Sequence, residues 1–81
     1  GPHATHTPRL LDILRARNVK ATFYVIGKNV DLYPGIVRRT VAEGHEIGNH
    51  TYTHPKLSSL SNDRVISEIR KTDEAIVRAC G

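Results

Sequence analysis

His50 and His54, in the run His50-Thr51-Tyr52-Thr53-His54-Pro55, are the residues of this 81-residue chain best suited to chemistry. Neutral imidazole binds divalent cations, and a tight turn across three intervening residues brings two rings to one point. Pro55 steers His54 away from α-helical backbone, which favours such a turn. Each ring could instead hydrogen-bond loop carbonyls, and a catalytic zinc has three protein ligands plus a water. A carboxylate or another histidine would have to complete the set. Glu46 and Asp31 are the nearby candidates, although strand alternation gives Glu46 a structural role facing helix or solvent. Thr51 could orient a ligand imidazole through its hydroxyl, and Asn49 could tie down the loop backbone.

The elements that must position this pair follow from periodicity. Residues 1–7 read as loop, with His3 and His6 as solvated loop histidines. Thr7-Pro8 reads as an N-cap and first helical residue, opening a helix over 8–17 with Leu10, Leu11, Ile13 and Leu14 on one face. Asn18 is a left-handed cap. The β-branched and aromatic run of residues 21–26 predicts a strand covered on both faces, as in a parallel sheet. Residues 28–33 read as a loop with a short turn of helix near Val30. Pro34 opens a second helix carried by Ile36, Val37, Val41 and Ala42, and Gly44 stops it. Residues 45–49 form a short strand whose end carries His50, with His45 hydrogen-bonded at its start. Ser61 or Asn62 caps a last helix reaching about Cys80, with an apolar stripe of Val65, Ile66, Ile69, Ile76 and Val77. Helix and strand alternate, so the strands should be parallel and joined by crossovers.

Composition excludes other classes. The chain carries 12 Lys plus Arg against 8 Asp plus Glu, a formal charge of +4, but the basic residues are scattered. With only three Tyr and one Phe, there is no stacking ladder for nucleic acid, so no nucleic-acid partner is expected. No apolar run approaches a membrane span, no signal peptide is legible, and the single Cys80 makes no internal disulfide. The compartment stays open between cytoplasmic and secreted. Two strands are fewer than an independent sheet needs, so association with itself or with further structure is expected.

Lys20-Ala21-Thr22-Phe23-Tyr24-Val25-Ile26-Gly27, followed by Gly44-His45-Glu46-Ile47-Gly48-Asn49-His50-Thr51-Tyr52-Thr53-His54-Pro55, resembles the polysaccharide deacetylase family. This is the NodB-homology domain, or carbohydrate esterase family four. The likeness extends through Leu57, Leu60, Ser61 and the closing helix, and looks closest to the nodulation-type chitooligosaccharide deacetylases. It implies that residues 1–81 are part of such a domain, a fragment of a distorted (β/α) barrel with parallel strands. It implies a divalent metal, usually zinc, with His50 and His54 as ligands. It implies hydrolysis of N-acetyl groups on chitin-like or peptidoglycan-like amino-sugar polymers, with Tyr52 stacking on a sugar ring or packing. His3 and His6 could then border the sugar groove. Of the family's Thr-Phe-Asp-Asp-Gly-Pro motif only Gly1 and Pro2 match. The resemblance therefore places the catalytic base, the third ligand and the general acid outside residues 1–81. Alone, the chain is expected to be inactive; the alternative is a non-catalytic carbohydrate- or metal-binding remnant.

Overall fold

The computed structural model describes residues 1–81. Helix α1 spans His6–Ala16, strand β1 Thr22–Val25, helix α2 Gly27–Leu32, helix α3 Pro34–Ala42, strand β2 Glu46–Asn49 and helix α4 Asn62–Cys80; Leu57–Ser59 make one 3-10 turn. The strands pair in parallel, Thr22 opposite Glu46 and Val25 opposite Asn49, as the alternation of patterns predicts. Asn18 (φ 55°) and Gly44 (φ 87°) adopt the left-handed conformation expected of helix stops, and Ser61 caps α4 by accepting from the Arg64 amide at 3.2 Å.

Helix α1 begins two residues before the expected start. Thr5 is its cap residue and makes no side-chain cap bond, while the Thr7 hydroxyl accepts from the His3 amide at 2.9 Å. Pro8 is tolerated there because first-turn amides have no intrahelical partner. Residues 28–33 are expected as loop with a short helical turn near Val30; the helix α2 instead takes in all of Gly27–Leu32. Its sequence Gly-Lys-Asn-Val-Asp-Leu has weak helical propensity, so tertiary contacts decide: Val30 is fully buried against the core.

The core joins Val25, Val30 and Val37 to Ala75 and Ala79, with Ile47, Tyr52 and Ile76 packed against it. Two expected apolar faces are corrected. On α4 the buried row is Glu68, Thr72, Ala75 and Ala79, whereas Ile66, Ile69 and Val77 are exposed. Small side chains let α4 approach closely: a Cβ built on Gly27 would lie 3.1 Å from the Thr72 Cα. On α1 only Leu11 is buried, and Leu10 and Ile13 stand in solvent. Nor is β1 covered on both faces. Val25 is buried, but Tyr24 is 65% exposed and lies over Gly48 of the neighbouring strand.

Candidate metal centre

The end of β2 fixes His50. Its amide donates to the Val25 carbonyl at 2.9 Å, extending the ladder past Asn49. The chain then turns sharply, with Thr51 at φ 64° and His54 at φ 59°. The turn brings the His50 and His54 rings together, centroids 4.5 Å apart and planes at 69°. Two imidazoles bound to one ion through nitrogens ~2.1 Å away, at a tetrahedral angle, have centroids roughly 5 Å apart. The observed separation is close to that value. Both histidines are exposed, so a cation and its remaining ligands can reach them.

The turn is held from two sides. On one, the amides of Gly27 and Lys28, at the start of α2, donate to the carbonyls of Thr51 (2.9 Å) and Tyr52 (3.0 Å). On the other, Glu68 of α4 receives the Tyr52 amide at 3.1 Å, the Thr53 amide at 2.8 Å and the Thr53 hydroxyl at 3.0 Å, all on Oε1. Donation by the Thr53 amide, supported by its hydroxyl and the Tyr52 amide, holds the Glu68 carboxyl below its usual pKa against the opposing effect of burial. Asn49 ties the turn as expected: Oδ1 accepts the Thr51 amide at 2.9 Å, while Nδ2 donates to the Ile69 carbonyl and Asp73.

Not every expected group reaches the pair. No His, Cys, Asp or Glu joins His50 and His54 in a cluster of three. Glu46 sits at the far end of β2 and accepts from the Thr22 hydroxyl at 3.4 Å, which agrees with its structural role. Asp31 accepts the Tyr52 hydroxyl at 2.7 Å and two bonds from Arg78 Nη2 at 2.9 and 3.0 Å. The Tyr52 hydroxyl and then Arg78 lower the Asp31 pKa, and Asp31 in turn raises that of the Tyr52 phenol. Neither carboxylate is a substitute ligand. The Thr51 hydroxyl donates to the His50 carbonyl at 2.5 Å, so it orients backbone rather than an imidazole. Tyr52 packs its ring against the core and Gly27. His45 is buried, its Nδ1 accepting the Ala21 amide at 3.1 Å, a wall contact of the kind expected. His3 and His6 line a shallow depression with Asn29 and Tyr33.

Glu68 and Arg78 were not singled out by sequence reasoning. A signal existed for Glu68: it shares the helical spacing of Thr72, Ala75 and Ala79, a row of small and polar residues beside the apolar one. For Arg78 there was none, because its partner lies 47 residues away.

Residues 1–81 match the polysaccharide deacetylase family throughout. The chain belongs to that family. Polysaccharide deacetylases are generally metal-dependent. The chain is 47% identical, over all 81 residues, to a peptidoglycan-N-acetylglucosamine deacetylase of Bacillus cereus, of which it covers 30%. It is 46% identical over 80 residues, 99% of its length, to a chitooligosaccharide deacetylase of Rhizobium leguminosarum bv. trifolii, of which it covers 37%. The crystal structure of the peptidoglycan N-acetylglucosamine deacetylase Bc1960, in complex with a hydroxylated benzamide, superposes on the entire chain with a TM-score of 0.96 at 47% identity, the chain covering 38% of it. The chain thus spans about a third of each of these three proteins.

Proposed function

We propose that the protein to which this chain belongs is a metal-dependent hydrolase that removes N-acetyl groups from amino-sugar polymers of the chitin or peptidoglycan type. His50 and His54 are its cation ligands, and zinc, which favours imidazole, is the cation. The observation that carries this reading is the His50–His54 pair, 4.5 Å between ring centroids, on a braced turn at a strand end. Relatives 47% and 46% identical to the chain are named as a peptidoglycan-N-acetylglucosamine deacetylase and a chitooligosaccharide deacetylase.

The chemistry a divalent cation supplies at such a site is Lewis acidity toward an amide carbonyl and a water. This chain's residues contribute the binding half: two imidazoles held at fixed separation by the turn. Hydrolysis also needs a base for the water proton and an acid for the departing amine. Asp31 is bound to Arg78 and Tyr52, Glu68 to the turn, and Glu46 lies at the other end of the strand, so none is free beside the pair. We therefore read residues 1–81 as a partial domain whose base, third ligand and acid come from elsewhere in the barrel, and whose isolated form releases no acetate.

Zinc titration followed through the ring resonances of the histidines tests the ligand assignment. His50 and His54 should shift together, weakly and saturably, while His3, His6 and His45 do not. Acid should weaken binding, since protons and zinc compete for the same lone pairs. His50→Ala and His54→Ala should each abolish the joint response. Unchanged binding in both variants would remove the metal reading.

A further inference from the structure

We propose that Glu68 is a positioning residue for the cation site: its buried carboxylate, by gathering two of the three amides between the histidines, sets His54 relative to His50. This rests on the metal reading of the pair. His50 needs no such help, because the strand ladder fixes it through the Val25 carbonyl. His54 lies four residues on, beyond two left-handed non-glycine residues counting itself, Thr51 and His54. A β-branched threonine is strongly disfavoured in that conformation, so the turn persists only if its surroundings over-determine it.

The bonds that do so are specific. The carbonyls of Thr51 and Tyr52 are taken by α2, and the amides of Tyr52 and Thr53 by Glu68 Oε1. The peptides between the histidines are thus gripped on their oxygen side by one helix and on their nitrogen side by another. Glu68 is only 3% exposed. Weakening its bonds leaves the two peptides held chiefly through their oxygens, so they can pivot about the α2 bonds toward extended backbone. That rotation carries His54 away and leaves His50 in place. No other acidic group bonds these amides; Asp73 and Asp31 hold Asn49 and the Tyr52 hydroxyl instead.

The test is the zinc titration with ring-resolved readout, on the wild type, Glu68→Gln, Thr53→Val and Ala79→Gly, at a temperature where circular dichroism shows each fully folded. In Glu68→Gln the side-chain oxygen can still accept, but without its charge the bonds to the amides weaken, and zinc should bind about tenfold more weakly, the usual scale for groups that orient ligands. His50 should still shift, and His54 should no longer follow it with the same midpoint. Thr53→Val deletes only the hydroxyl donor and, as the milder variant, should weaken binding measurably but less than Glu68→Gln does. Ala79→Gly loosens the same helix about three turns further on, away from the histidine turn, and should bind as the wild type does. Wild-type affinity in both Glu68→Gln and Thr53→Val, or an equal loss in Ala79→Gly, overturns the role of Glu68 while leaving the histidines as ligands. Absence of a joint His50–His54 response in the wild type removes the metal reading, and this inference with it.

Discussion

Thr51 and His54 hold backbone conformations that cost roughly 1–2 kcal/mol each for non-glycine residues, and both flank the amides that Glu68 binds. Glu68 therefore couples stability to pH. Its folded pKa lies below the ordinary glutamate value of 4.5, so between the two values the unfolded chain holds more protons than the folded one. Stability then rises with pH across that window. The Glu68 contribution is complete above about 4.5 and is lost as pH falls through the folded pKa. Asp31, lowered from 3.8 chiefly by the Tyr52 hydroxyl and also by Arg78, acts in the same sense further down the scale. Urea midpoints measured from pH 7 to pH 3 should fall less steeply below 4.5 in Glu68→Gln than in the wild type. Parallel curves would mean that Glu68 titrates alike in both states.

The elements bracing the turn meet at Gly27. A Cβ there would lie 2.5 Å from Tyr52 Cδ1 and 2.7 Å from Thr72 Oγ1, with the Thr72 Cα at 3.1 Å. Neither the tyrosine ring packed on the core nor the α4 backbone can retreat, so Gly27→Ala should destabilise by about 1–3 kcal/mol and disturb the histidine pairing. Gly48→Ala meets an equally short contact, 2.5 Å to Tyr24 Cδ1. Tyr24 is exposed, however, and can swing aside, so the same substitution should cost under about 1 kcal/mol there. Thermal melts of the two variants should separate; equal losses would show that Tyr24 is not free to move. The contrast also shows what was legible in the sequence. Strands β1 and β2, the stops at Asn18 and Gly44 and the Ser61 cap rest on local patterns, and the structure reproduces them; the histidine spacing is local too, and the two rings lie 4.5 Å apart. Helix α2 and the Glu68 row were obscured because both depend on packing between distant elements. In α4 the large apolar residues outweigh Thr72, Ala75 and Ala79 in any periodicity, although close approach selects the small ones for burial.

At the scale of the whole molecule, the surface is larger than a self-contained domain of this mass would show. It measures 5369 Å², against about 4,850 Å² for a compact 9.0 kDa monomer. The radius of gyration is 13.2 Å, against about 12 Å for a compact 81-residue chain. Large apolar side chains are among what is exposed: Ile66, Ile69 and Val77 on α4, Leu10 and Ile13 on α1, and Tyr24 on the open sheet face. Each outer edge of the two-stranded sheet also offers backbone groups that a further strand would pair. The isolated chain should cover such surfaces by associating with itself. Sedimentation equilibrium over a micromolar range should give a mass that rises with concentration. The two candidate surfaces separate by substitution. Ile69→Lys combined with Val77→Lys should restore the monomer if the α4 face is what meets, because charge opposes burial there. It should leave association intact if the strand edges pair, since edge pairing uses backbone rather than those side chains. A single monomeric species throughout would mean that this apolar surface is tolerated in water, and that 81 residues of the family's fold are self-sufficient.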